Sequence, residues 1–223
     1  MTSGDDSDDA GSPPCFLHEL GPDGTPRPDP VQALEVARWR KAERQRLIDM
    51  RLKLTPDYRA AQASAIAADL DRLIPPPGGA VISVYWPIRG EPDLRAWMRS
   101  KSESGYRVAL PVALALGQPL EFREWRPDCR LVRGLWKIPY PAEGQAVVPN
   151  VILAPLVGFA EACYRLGYGG GFFDRTLAAI AGAPLVIGVG YPETAVTTIF
   201  PQPHDIAMNR IVTGSSPPVA RGA

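Results

Sequence analysis

From residue 80 onward, short apolar runs alternate with polar stretches of helix-forming composition. Residues 80–86, 106–110, 151–154 and 184–189 are compact apolar runs bounded by Gly, Pro or polar residues, the pattern of strands buried on both faces. Residues 120–125 alternate apolar and polar positions, as a strand with one solvated face does. Helices are predicted over 92–101 and 174–181, and a short last strand over 210–213. Upstream, residues 31–54 are rich in Ala, Leu, Arg and Glu, contain no Pro or Gly, and predict one long helix. Thr55-Pro56-Asp57 reads as a second helix start, with Thr as N-cap, Pro in the first turn and Asp near the positive end of the dipole. Ile66, Leu70, Leu73 and Ile74 form its apolar stripe until Pro75-Pro76-Pro77-Gly78-Gly79 ends it. Strands separated by helices predict a layered α/β domain with a largely parallel sheet.

Composition narrows the class. The chain has 223 residues with 24 basic and 24 acidic side chains, so no charge excess marks a nucleic-acid or polybasic membrane binder. The longest apolar runs fall well short of the ~20 residues a membrane span needs. Three cysteines, Cys15, Cys129 and Cys163, show no CxxC spacing, which points to a reducing cytoplasm rather than a disulfide framework. Residues 1–30 are rich in Asp and Pro and predict a disordered or loosely packed arm. Residues 31–214 are read as a single α/β domain, and residues 215–223 as a flexible tail.

The chemistry concentrates at Arg165-Leu166-Gly167-Tyr168-Gly169-Gly170-Gly171-Phe172-Phe173-Asp174-Arg175. Glycines leading into a helix let backbone amides approach an anion, and the helix dipole favours negative charge there. Arg165 and Arg175 can fork onto phosphate oxygens, and Asp174 is a hard ligand of the kind Mg²⁺ prefers. No Lys stands in the loop, which excludes a P-loop, and Phe172 breaks the dinucleotide fingerprint. A tight structural turn with its arginine in a salt bridge remains the competing reading.

This stretch resembles the signature of the ATP-dependent 5-formyltetrahydrofolate cyclo-ligases, R-L-G-x-G-x-G-[YF]-[YF]-D, at every position from Arg165 to Asp174. Further landmarks occur in the same order: Arg40-x-x-x-Arg44, Leu54-Thr55-Pro56, Glu91, Ala109-Leu110-Pro111, Trp136-Lys137-Ile138-Pro139-Tyr140-Pro141 and His204-Asp205. The resemblance implies a three-layer α/β sandwich, Rossmann-like, with a largely parallel central sheet flanked by helices. It implies ATP as co-substrate, Mg²⁺, and closure of 5-formyltetrahydrofolate to 5,10-methenyltetrahydrofolate through a phosphorylated formyl intermediate. ADP and phosphate are the other products, and the enzyme is expected as a cytoplasmic monomer acting on small molecules.

By the same resemblance, Arg40, Arg44 and the loop residues Arg165, Leu166, Gly167, Tyr168, Gly169, Gly170, Gly171, Phe172, Phe173 and Asp174 take ATP. Arg165 and Asp174 are the catalytic pair, with Asp174 on the metal. Glu91, Trp136, Phe172 and Phe173 face the folate. Each has a structural alternative: a solvated helix face for Arg40 and Arg44 beside Arg38, Lys41, Arg46 and Arg51, a helix cap for Asp174, helix-terminal charge for Glu91, a core tryptophan for Trp136. The chain departs from its relatives at Phe172-Phe173 (often Tyr-Tyr), at Ala160 and Cys163 (often Asp and Gly), at Asn209 (often Asp) and at Thr194 or Ala195 (often Gln). Two other functions are compatible with these departures: an ATP/Mg paralogue acting on a different substrate, and a non-catalytic ATP- or folate-binding module.

Overall fold

The computed structural model describes residues 30–215 and 218–221. The expected arm, apart from Pro30, therefore lies outside the described residues. The chain divides into two compact units, Met1–Trp39 and Arg40–Ala223. The division falls inside the first helix, and the whole sheet belongs to the second unit.

The elements run α1 (Pro30–Leu52), α2 (Pro56–Leu73), β1 (Val81–Ser83), α3 (Arg95–Glu103), β2 (Arg107–Val112), β3 (Glu121–Trp125), β4 (Leu131–Arg133), β5 (Pro139–Pro141), β6 (Val151–Pro155), β7 (Gly158–Phe159), β8 (Arg165–Leu166), α4 (Phe172–Ala179), β9 (Leu185–Val189), β10 (Arg210–Val212) and β11 (Val219–Ala220). Seven strands form one sheet in the order β11-β10-β9-β6-β1-β2-β3. The five inner strands are parallel, and β3 and β11 close the two edges in antiparallel fashion.

Alternation along the inner strands assigns the layers. Ile82, Val108, Leu110, Leu153 and Ile187 face Ile66 and Leu70 of α2 and Trp97 and Met98 of α3. Their neighbours Val81, Ala109 and Ile152 face Phe173, Leu177 and Ile180, in and just after α4. The result is the expected three-layer α/β sandwich. Thr55 caps α2 as the sequence predicts, its hydroxyl accepting the Tyr58 amide at 3.2 Å.

Four expectations shift. The first strand is shorter than 80–86, because the chain turns into a loop after Ser83. Helix α3 begins at Arg95, not at 92: the Pro92 carbonyl instead accepts the Tyr85 hydroxyl at 2.8 Å. Helix α4 begins at Phe172 rather than 174, because left-handed Gly171 supplies its N-cap, so Asp174 is not the cap. Within the segment expected as a tail, Val219 and Ala220 pair with β10. The hairpins β4–β5 and β7–β8 escape a pattern search because their strands are only three and two residues long.

Candidate active site

The strand order reverses at β1. The chain leaves β1 for β2 on one side and later returns to β6 on the other. Loops leaving the carboxyl ends of two such strands diverge and open a crevice. Here the loop after β1 carries Glu91, and the loop after β6 carries the glycine run. Both border a cavity of about 530 Å³ that the turn between β4 and β5 also lines.

The glycine loop is packed among cations. A Cβ at Gly167 would lie 2.5 Å from Arg165 Nη1, one at Gly169 3.3 Å from the Arg44 guanidinium carbon, and one at Gly171 2.8 Å from Arg175 Nη1. Gly169 (φ +92°) and Gly171 (φ +62°) also need left-handed backbone, so side chains are excluded on both counts. The loop can therefore present its amides together with guanidinium groups to one anion.

The three candidate arginines have different occupations. Arg165 is 6% exposed and donates to Asp174 Oδ2 at 2.8 Å, with its guanidinium over the Phe173 ring at 5.0 Å. The two expected catalytic residues are thus paired with each other, and the salt-bridge reading of Arg165 holds in this conformation. Buried Nε atoms of Arg165 and Arg175 nevertheless find no hydrogen-bond partner among the described residues. Arg40, expected on the triphosphate, lines the cavity and is already partnered there: its Nε donates to the Ile199 carbonyl and its Nη2 to the Phe200 carbonyl, both at 2.8 Å, and it forms an ion pair with Asp205, which also lines the cavity. Burial pushes Asp205 up, but the hydrogen bonds from Arg40 and the Gln202 amide outweigh it and hold the carboxyl below its usual range. Arg44 donates only its Nε, to the Gly167 carbonyl at 2.7 Å, and makes no other hydrogen bond among the described residues. Burial and the neighbouring Arg40 charge lower its pKa, and the nearby Asp205 carboxylate offsets them only in part. The solvated-face reading fails for Arg40 and Arg44, and more completely for Arg51.

Arg51 was indistinguishable from the other arginines of its helix in the sequence, yet it is fully buried. It donates to the Arg89 carbonyl at 3.0 Å, the Leu156 carbonyl at 2.9 Å and the Tyr168 hydroxyl at 2.7 Å. One side chain thereby ties the loop after β1 to the loop after β6. Glu91 sits in the same network. It accepts the Ile88 amide and the Tyr168 hydroxyl, each at 2.8 Å. Burial raises its pKa to about 7 against the pull of those hydrogen bonds and of Arg51. It is not an exposed helix-terminal charge.

Trp136, which also lines the cavity, is 58% exposed and in left-handed backbone (φ +54°), which overturns the core-tryptophan alternative. Its ring meets Phe172 edge-on, with centroids 5.3 Å apart. Phe173 touches the cavity but packs mainly against the core beneath α4, so only Phe172 extends the aromatic wall with Trp136. Arg89, Trp136, Lys137, Cys163 and Phe200 all have positive φ without being glycine, and the first two line the cavity. Such strain gathers where structure serves binding. Cys163, where the family resemblance leads one to expect Gly, has a left-handed backbone at φ +60°.

The model of the 5-formyltetrahydrofolate cyclo-ligase family matches residues 36–214. A 5-formyltetrahydrofolate cyclo-ligase of Mycolicibacterium smegmatis is 33% identical over 178 residues, covering 75% of this chain and 89% of that protein. The Escherichia coli K12 cyclo-ligase is 33% identical over 134 residues, covering 57% and 73%. Among solved structures, 5,10-methenyltetrahydrofolate synthetase of Aquifex aeolicus superposes with a TM-score of 0.70 at 24% identity, over 82% of this chain and 93% of that one. The Mycoplasma pneumoniae synthetase gives 0.66 at 21% identity, over 79% and 99%. With a family match across the whole α/β sandwich and a cavity flanked by the signature loop, this chain belongs to the 5-formyltetrahydrofolate cyclo-ligase family.

Proposed function

We propose that the chain uses ATP to close 5-formyltetrahydrofolate to 5,10-methenyltetrahydrofolate, releasing ADP and phosphate. The observation that carries the reading is one cavity bordered by both sets of groups such a reaction needs: a cation-packed glycine loop, and the aromatic pair Trp136 and Phe172 together with buried Glu91. The formyl oxygen attacks the γ-phosphorus and displaces ADP, the neighbouring N10 adds to the activated carbon and gives up its proton, and phosphate leaves. The protein's task is alignment and charge neutralisation rather than covalent catalysis.

Arg44 is the side chain best placed to take the triphosphate, since its two terminal nitrogens are uncommitted and lie against Gly169. The loop amides add donors at the start of α4. Arg40 acts indirectly, fixing the 199–205 segment through Asp205 and leaving Arg44 as the forward cation. A Mg²⁺ ion would be held by the Asp174 carboxylate, a hard oxygen donor that lines the cavity and is paired there with Arg165. When bound, it supplies charge neutralisation on the transferred phosphoryl group. Glu91 reads the donor edge of the pterin, and Trp136 with Phe172 covers the ring.

Of the departures from the family pattern, Ala160, Cys163, Thr194, Ala195 and Asn209 do not line the cavity, whereas Phe172 and Phe173 do and keep aromatic rings there without the tyrosine hydroxyls. Asn209 instead uses its side-chain oxygen to accept the Val186 amide at 2.7 Å, which a carboxylate does equally well. A cytoplasmic monomer is the form expected of such an enzyme, and no helix among the described residues is long and apolar enough to cross a membrane. The test is formation of the methenyl chromophore from 5-formyltetrahydrofolate, ATP and Mg²⁺. ATP-dependent appearance of that absorbance supports the proposal; nucleotide and folate binding without it would indicate a binding module instead.

A further inference from the structure

The glycine loop carries one side chain that leaves the phosphate side altogether. The hydroxyl of Tyr168 accepts from Arg51 Nη2 at 2.7 Å and donates to Glu91 Oε1 at 2.8 Å. Its ring lies between two guanidinium groups, 6.0 Å from Arg51 and 5.7 Å from Arg89. The family signature makes no demand at position 168, where this chain has Tyr. We propose that Tyr168 is a positioning residue that holds the Glu91 carboxyl as a hydrogen-bond acceptor for the substrate's ring, linking the phosphate loop to the folate half of the cavity. The inference rests on the functional reading above for the identity of that ring.

The direction of the proton follows from donor chemistry. A guanidinium only donates, so Arg51 occupies the phenol's lone pair and its single O–H must turn to Glu91. The second carboxyl oxygen is held by the Ile88 amide at 2.8 Å. Two donors converging on one carboxyl favour its ionised form, and burial opposes them. The charged and titratable groups around it are Arg51 from α1, Arg89 on its own loop, Tyr168, Tyr85 after β1 and Tyr191 after β9. The Tyr85 hydroxyl is already given to the Pro92 carbonyl. Tyr168 is therefore the side chain that supplies a neutral donor to Glu91. A ring presenting adjacent N–H groups needs the proton-free carboxylate, and the Tyr168 bond makes that form accessible near neutrality.

Tyr168→Phe keeps the ring between its two guanidinium neighbours and removes only the hydroxyl. In the unliganded protein, the Glu91 carboxyl midpoint followed by carbon-13 NMR is expected to rise by about one pH unit. At a pH near 7.5, KM for 5-formyltetrahydrofolate is expected to rise roughly tenfold, with kcat and KM for ATP within about twofold. The reciprocal variant, Glu91→Gln, reads the same bond from the other side: the Tyr168 phenol, pushed up in the native protein by burial and by Glu91, should titrate lower. An unchanged Glu91 midpoint in Tyr168→Phe, or an unchanged Tyr168 titration in Glu91→Gln, overturns the proposal. So does a rise in KM for ATP in place of the folate. Should the native chain form no methenyl product, the functional reading falls and the folate half of this inference with it, whereas the carboxyl titration still decides the Tyr168–Glu91 link.

Discussion

Arg44, Arg165 and Arg175 crowd one loop, and their partners decide what each can do. Arg165 is buried with Asp174 as its counter-ion, so removing that carboxylate strands a charge away from water. Asp174→Ala is expected to cost about 3 kcal/mol of stability in the ligand-free protein as well as most of the turnover. An Asp174→Ala protein that unfolds at the native denaturant midpoint would show that the pair is not structural. Arg44 should behave oppositely. Arg44→Lys keeps the charge but loses the fork and the bond to the Gly167 carbonyl. KM for ATP should rise ten- to a hundred-fold while stability changes by less than about 1 kcal/mol. Glu91 adds a pH signature. Its folded pKa, raised to about 7 by burial from an ordinary 4.5, means the folded state binds its proton more tightly than the unfolded chain. That contribution is fully present below about pH 4.5 and lost as pH rises through 7, and the full span is on the order of 3 kcal/mol. Glu91→Gln lacks it, so denaturation should find the variant more destabilised relative to native protein at pH 5 than at pH 8. Equal differences at both pH values would place the Glu91 midpoint near its ordinary value.

At the level of elements, legibility followed the length of the pattern. Helix α2 could be read end to end, because Thr55, Pro56 and the proline-glycine run after Ile74 each act through local backbone chemistry. The inner strands were readable as apolar runs. The β4–β5 and β7–β8 hairpins were not, since two or three residues carry no period, and their positions depend on partners far away in the chain. The site divided in the same way. The glycine loop announces itself because close approach and left-handed backbone demand glycine. Arg40, Arg44 and Arg51 look alike in a helix that carries several arginines, and only the packed loops assign one to Asp205, one to the glycine loop and one to the interior. The glycine loop also yields a direct test. Gly169→Ala forces an L side chain into φ +92° with its Cβ 3.3 Å from the Arg44 guanidinium carbon. The strain costs about 1–2 kcal/mol, and displacement of Arg44 should raise KM for ATP about as much as Arg44→Lys does. Native ATP kinetics in Gly169→Ala would mean that the loop bends elsewhere and that Arg44 does not depend on its shape.

Across the whole molecule, a parallel sheet supplies a rigid floor, and the cavity exists because two loops diverge from adjacent strands above it. What keeps those loops in register is Arg51, which reaches the Arg89 carbonyl on one and the Leu156 carbonyl and Tyr168 hydroxyl on the other. This predicts a difference in ligand linkage. A ligand that binds only the folded state stabilises it by about 2.7 kcal/mol at a hundred times its Kd. In the native protein, ATP and 5-formyltetrahydrofolate should each give a shift of that kind in thermal or chemical unfolding. Arg44→Lys touches the phosphate side alone, so at equal concentrations it should lose most of the ATP shift and keep the folate shift. Arg51→Met fills similar space but strands two buried carbonyls, so its ligand-free stability should fall by about 3 kcal/mol or more. Because both loops lose their common tie, it should also lose most of both ligand shifts at the concentrations used for the native chain. If Arg51→Met were less stable yet kept both shifts in full, each loop would hold its own half of the site without the arginine, and Arg51 would be a packing residue with no part in assembling the cavity.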